Sequence, residues 1–170
     1  TREWAAQVWD RIAVAGEGQG LENFGYRALE SLRLEKGYRY YGTDLTAAET
    51  PDEAGLGAFV RTAKPDFIGR TAIVERRAAG LVRRLRTVLI GGSDYVPAYG
   101  GEAVRMGGEV VGRLRSVAYG PTVGRTVGTA YLPVDVAEGA GIEVDVLDGR
   151  TDGIVAPDVL VDPEGLRLRG

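Results

Sequence analysis

The 170-residue chain has no cysteine, no histidine and a single methionine. Without cysteine there is no disulfide, no thiolate nucleophile and no thiolate metal site. Without histidine there is no imidazole base, no serine–histidine–aspartate machinery and no ordinary zinc or haem ligation. Chemistry in this chain must therefore rest on carboxylates, tyrosine, lysine, arginine or backbone groups, and most hydrolase classes drop out. Long apolar runs are lacking too. Nothing approaches the ~18 residues of a membrane span, and no signal peptide is visible. The net charge is only −3, which gives no electrostatic reason to expect nucleic acid or an anionic membrane as partner. A cytoplasmic location is the expectation.

Glycine, by contrast, is abundant, at 26 of 170 residues, against an average of ~7%. The glycines follow no period, and many fall where strands would turn, so the composition reads as a turn-rich β protein. Gly91-Gly92, Gly100-Gly101 and Gly107-Gly108 are not phosphate loops, because no G-x-G-x-x-G opens a helix and no G-K-[ST] occurs. Turn duty is their expected role.

Along the chain, Trp4, Ala5, Val8, Trp9, Ile12 and Ala13 recur at helical spacing, which predicts an amphipathic helix over 2–15 with both tryptophans on one stripe. A second helix is expected from about Gly20 to Lys36, with Gly37 as its C′ residue. Two helices alone bury little, so their apolar faces are expected to pack on polypeptide supplied from elsewhere. After a polar, tyrosine-rich loop, Gly57–Thr62 reads as a strand and Arg70–Ala79 as a short helix stopped by Gly80. Beyond Leu81 the period changes to two. Arg84–Ile90 and Thr126–Leu132 read as strands. Two hairpins are expected, one around Gly107-Gly108 and one around Asp148-Gly149. Five or six short antiparallel strands in this half imply a small barrel or jelly-roll-like domain, with the boundary near residues 80–83.

Several spaced segments carry a resemblance: LRLEKGY (Leu32–Tyr38), YGTDL (Tyr41–Leu45), TPDEAGLG (Thr50–Gly57), KPDFIGR (Lys64–Arg70), SVAYGPTVGRTVGTAYLP (Ser116–Pro133) and DPEGLRLRG (Asp162–Gly170). Together they resemble the glycine-cleavage T-protein (aminomethyltransferase) family, especially its flavin-linked branch of dimethylglycine and sarcosine dehydrogenases and oxidases. The resemblance implies an α+β fold. Residues 1–80 would be the end of a folate-binding region, helices plus a strand, and 81–170 the T-protein C-terminal antiparallel β-barrel. It also implies the C-terminal portion of an enzyme that demethylates a dimethylglycine- or sarcosine-like amine and passes the carbon to tetrahydrofolate. FAD would sit only in an upstream domain or partner, and that same missing region would cover the Trp4/Trp9 helix.

The family's catalytic aspartate and pterin-gripping glutamate map upstream of this chain, so no catalytic residue and no metal ligand is assigned here. Two further family contacts do map. An arginine four residues before the LRLE arginine falls on Leu29, with Arg27 as the nearest basic substitute; a tyrosine near the C-terminus falls on Val161. The expected cofactor-facing residues are therefore Arg27, Arg33 and Tyr41. Each has a plainer reading. Arg33 and Glu35 could line a site together, but residues two apart on a helix do not face each other, so Arg33 would instead pair with Glu30 or tie down the following loop. Tyr38, Tyr40 and Tyr41 with Arg39 would either wall an aromatic pocket or anchor their loop. Arg70, Arg76, Arg77, Arg83, Arg84 and Arg86, opposed only by Glu75, would form either an anion-attracting rim or a solvated face. The alternative for the whole chain is a non-catalytic T-protein-like scaffold or subunit that has lost folate binding. A relative acting on an aryl methyl ether or a sulfonium is a third option.

Overall fold

The computed structural model describes residues 1–169. Six strands close into an antiparallel barrel in the order β1-β4-β3-β2-β5-β6. They are β1 (Arg83–Ile90), β2 (Ala103–Met106), β3 (Glu109–Gly120), β4 (Arg125–Pro133), β5 (Gly141–Val146) and β6 (Gly149–Ala156). Closure is made by β6 on β1, from Thr87↔Ala156 to Ile90↔Gly153, so the sheet exposes no free edge. The two-residue period sends alternate side chains inward. Val88, Ile90, Leu114, Ala130, Leu132, Val144 and Val155 fill the interior; burying each large aliphatic side chain contributes about 1.5–3 kcal/mol.

β4 breaks that alternation, being buried continuously from Thr126 to Leu132. Its inner face fills the barrel, while its outer face carries the helix and loop that precede the barrel in sequence. At the β2–β3 turn, Gly107 and Gly108 have φ of 59° and 86°, the left-handed pair that a tight primed turn demands. The other hairpin turns one position earlier than its Asp-Gly suggests. Val146 pairs with Gly149, so Leu147 and Asp148 make the turn and Gly149 opens β6.

Three helices precede the barrel: α1 (Ala5–Gly16, after a 3-10 turn at Arg2–Trp4), α2 (Tyr26–Glu35) and α3 (Arg70–Ala79). α2 packs on β3 and β4 and buries Arg33, Leu34 and Glu35. It begins at Tyr26 rather than near Gly20, because Gly20 is left-handed and Gly25 is extended; Leu21 instead folds back against Gly16 at the end of α1. Gly37 (φ 72°) ends α2 with the Tyr38 amide donating to the Arg33 carbonyl at 2.8 Å, the bond of a Schellman cap. α1 buries no residue, and Trp4 and Trp9 are 57% and 55% exposed.

The strand expected at Gly57–Thr62 is instead a 3-10 turn, Gly57–Phe59. The closed barrel offers no edge with which such a strand could pair, and Phe59 points outward. Five of the six arginines in the run after it, all but Arg76, are engaged within the chain. Arg77 grips Asp52 through two nitrogens at 2.9 and 3.0 Å. Arg70 donates to the Thr62 carbonyl, Arg83 to Glu53 and Arg86 to the Val136 carbonyl, while Arg84 lies 3.7 Å from Asp158. No helix among the described residues is long and apolar enough to cross a membrane.

Candidate functional site

The last turn of α2 fixes the geometry around it. The Arg33 guanidinium donates to Glu30 at 2.9 and 2.6 Å, to Asp44 at 2.5 Å, to the Tyr38 carbonyl at 3.1 Å and to the Ser116 hydroxyl on β3 at 2.8 Å. Asp44 is wholly buried. It also accepts from the Tyr40 amide at 2.8 Å and from the Thr129 hydroxyl on β4 at 2.6 Å. Arg33 therefore ties helix, tyrosine loop and barrel together, and its pairing with Glu30 is the structural role set beside the binding role above.

Glu35 works in two directions. Its carboxylate accepts the Thr122 and Val123 amides of the β3–β4 turn at 2.7 and 3.1 Å. Its carbonyl accepts the Leu160 and Val161 amides at 2.9 and 3.0 Å. The C-terminal segment is thereby laid alongside α2.

Between that segment and α2 lies a cleft of about 340 Å³, walled by Leu29, Leu32, Tyr38 and Val161 and rimmed by Lys36 and Arg167. Lys36 bonds the Asp162 carboxylate at 3.0 Å, which holds that carboxyl below the ordinary aspartate range. Across α2 is a second cleft of about 550 Å³, where Arg27, Glu30 and Ser31 face Tyr95, Tyr99 and Tyr119. Tyr95 and Tyr119 meet edge to face, with ring centres 6.3 Å apart.

A third groove, of about 700 Å³, runs over the barrel's outer wall by Arg83, Arg113, Arg115 and Tyr131. Beside it the loop 46–53 is clasped down by two successive Thr-x-x-Glu units. Thr46 donates its amide and hydroxyl to Glu49, each at 2.8 Å, and Thr50 does the same to Glu53 at 2.8 and 2.9 Å. Arg115 bonds the other oxygen of Glu49, and Arg83 that of Glu53 at 2.9 Å. Both guanidiniums lie over the Tyr131 ring, 4.9 and 5.3 Å from its centre, in cation–π contact. Burial, with Glu49 nearby, pushes the Tyr131 phenol up to about 12.

Burial also pushes the Glu49 carboxyl up, but the Thr46 bonds and the Arg115 and Arg83 charges outweigh it and hold it below its ordinary 4.5. Glu53 is lowered likewise, its burial outweighed by Thr50 and Arg83. A depressed carboxylate stabilises the fold above its unfolded pKa, and this is lost as pH falls through the folded value. Stability is therefore expected to hold above pH 4.5 and to decline below it. In urea titrations across pH, Glu49→Gln should lower stability at neutrality and flatten the acid decline; an unchanged acid slope would contradict the clasp.

Arg27, Arg33 and Tyr41 are not brought together. Arg27 lines the tyrosine cleft, Arg33 lines the smaller cleft but has its guanidinium taken up by Glu30, Asp44, Tyr38 and Ser116, and Tyr41 is 70% exposed and lines neither. Lys36 and Arg167 were not singled out by sequence reasoning. Lys36 was readable, since Leu29, Leu32 and Lys36 follow the i, i+3, i+7 spacing of one helix face. The Thr-x-x-Glu units also carry a sequence signature, that of a capping box, used here without a following helix.

Comparison with known proteins places this architecture. The GCVT N-terminal domain matches residues 1–64 and the glycine cleavage T-protein C-terminal barrel domain matches residues 83–162. The chain belongs to the glycine-cleavage T-protein family. It is 36% identical over 170 residues to the mitochondrial dimethylglycine dehydrogenase of Rattus norvegicus, covering 99% of this chain and 20% of that one. It is 41% identical over 126 residues to the mitochondrial sarcosine dehydrogenase of Homo sapiens, covering 74% and 14% respectively. Among solved structures, the glycine cleavage system aminomethyltransferase T from Bartonella henselae superposes with a TM-score of 0.77 at 27% identity, over 88% of this chain and 44% of that one. The chain thus spans about a fifth, 20%, of the dimethylglycine dehydrogenase it matches.

Proposed function

We propose that this chain forms one wall of a tetrahydrofolate site in an enzyme that demethylates a dimethylglycine- or sarcosine-like amine and transfers the carbon to the folate. The observation that carries this reading is a convergence. Leu29 and Val161, the two positions to which family folate contacts map, lie far apart in sequence yet wall the same cleft. Glu35 enforces that convergence by binding the Val161 amide.

The residues present suit one end of the ligand. Leu29, Leu32, Val161 and Tyr38 offer an apolar and aromatic wall for the flat benzoyl portion, with cations at the rim. The pterin edge is a donor pair that a carboxylate accepts in two bonds. Both carboxylates beside the cleft are already engaged, Glu35 by backbone amides and Asp162 by Lys36. The pterin end and the reactive carbon therefore belong to residues outside this chain, and the chain contributes binding and orientation rather than an acid or base. Oxidation of the N-methyl group is assigned on this reading to a flavin-bearing domain also outside it, since an antiparallel barrel with three helices holds no glycine-rich βαβ unit among the described residues.

The uncovered α1 face supports a partner of defined kind. Trp4, Val8, Trp9 and Ile12 are each more than half exposed within the region that matches the GCVT N-terminal domain. We assign its occupant as the remainder of that domain, in the same polypeptide or in a partner subunit. Calorimetry on this chain assembled with that segment should show tetrahydrofolate binding. An assembled protein that takes up no folate would leave a T-protein-like scaffold, the reading favoured by leucine and valine at positions 29 and 161.

A further inference from the structure

The smaller cleft holds a cation that the fold does not use. Arg33 is consumed by Glu30, Asp44, Tyr38 and Ser116, and Lys36 by Asp162. The Arg167 guanidinium makes no hydrogen bond or ion pair among the described residues, although its side chain lines the cleft. The backbone is bent to place it there. Asp162 is the non-glycine residue with positive φ among those described, at 49°, and Gly165 follows at 68°. Left-handed backbone at a side-chain-bearing residue persists only where its surroundings enforce it. Here Lys36 pins the Asp162 carboxylate, whose oxygens accept the Leu166 amide at 2.7 Å and the Arg167 amide at 3.4 Å. The chain turns back at Asp162, and Arg167 comes to overhang the apolar wall.

We infer that Arg167 is a specificity-determining residue, which binds a carboxylate of a ligand whose flat, apolar body lies against Leu29, Leu32, Tyr38 and Val161. This rests on the folate reading, under which the carboxylate belongs to the glutamate tail. The anion grip then sits on the C-terminal segment instead of at position 29 of α2, where a leucine cannot provide it. A guanidinium and a carboxylate form paired, charge-assisted bonds, and the neighbouring apolar wall limits competition from water.

The test compares tetrahydrofolate with tetrahydropteroate, which lacks the glutamate, using calorimetry on the chain assembled with the rest of its T-protein domain. Arg167→Gln is expected to weaken tetrahydrofolate about tenfold or more, the size of a lost charge-assisted hydrogen bond, while leaving tetrahydropteroate unchanged. Arg167→Lys should restore part of the difference. Because the side chain is exposed, thermal unfolding should not move. Equal tetrahydrofolate affinity in wild type and Arg167→Gln, or an equal loss for both compounds, overturns the inference while the folate reading stands. If the wild type binds neither compound, the folate reading itself fails and this inference falls with it.

Discussion

Arg33→Met is expected to destabilise the chain by about 3–5 kcal/mol, the cost of leaving a buried charge without its partner. Arg33 and Asp44 have side-chain exposures of 8% and 0%, so water cannot stand in for the guanidinium. Asp44 would retain the Tyr40 amide and the Thr129 hydroxyl but would face them as an uncompensated carboxylate. Ser116, Glu30 and the Tyr38 carbonyl would lose their shared donor at the same time. Arg33→Lys should recover little, because a point ammonium cannot reproduce the fork that reaches helix, loop and β3 together. Arg33→Met with Asp44→Asn should be more stable than Arg33→Met alone, since the asparagine oxygen can still accept the Tyr40 amide and its NH2 can donate to the Thr129 hydroxyl oxygen, without the stranded charge. Urea unfolding of wild type, Arg33→Met, Asp44→Asn and the double variant forms a double-mutant cycle. A cost below about 1 kcal/mol for Arg33→Met, the range of exposed ion pairs, would show that this network does not hold α2 to the barrel.

The second large effect concerns association rather than folding. Replacing Trp4 and Trp9 with glutamine should abolish co-purification with the rest of the T-protein domain, since buried tryptophans at an interface centre commonly contribute about 2 kcal/mol or more each. The isolated chain should unfold within about 0.5 kcal/mol of wild type, as expected for surface positions, because α1 buries nothing within it. The two readouts separate a docking face from a misplaced core. Unchanged assembly of the double variant would remove the partner assigned to α1; a large loss of the chain's own stability would mean that the indoles pack internally.

The barrel was largely readable because its information is local. Gly107-Gly108 names its own turn, and the two-residue period of β1 and β3 sorts inner from outer side chains without long-range knowledge. Local signals also mislead where a long-range fact overrides them. Gly57–Thr62 has strand-like composition, but whether it pairs depends on a free edge, and closure of β6 on β1 removes every edge. The Asp148-Gly149 signal located the hairpin, yet the register of β5 on β6 moved the turn by one residue.

The site was legible in parts. Leu29 and Val161 could be placed one at a time by resemblance, but their meeting depends on the Glu35 carbonyl holding the Val161 amide, a main-chain contact that leaves no sequence trace. Asp44 carries no local signature of its partners. Its role follows from Thr129, which lies 85 residues away and reaches it only once the barrel has formed. Arg167 stood within a charged C-terminal run, and only the left-handed Asp162 distinguishes it from a solvated arginine.

Amide hydrogen exchange on the assembled protein, with and without tetrahydrofolate, tests the central claim most directly. If the cleft between α2 and the C-terminal segment is a wall of the folate site, saturating ligand should slow exchange around Leu32–Tyr38 and Leu160–Arg167 and leave the β5–β6 hairpin unchanged. Bound folate with no added protection in those two segments would place the ligand elsewhere and contradict the account.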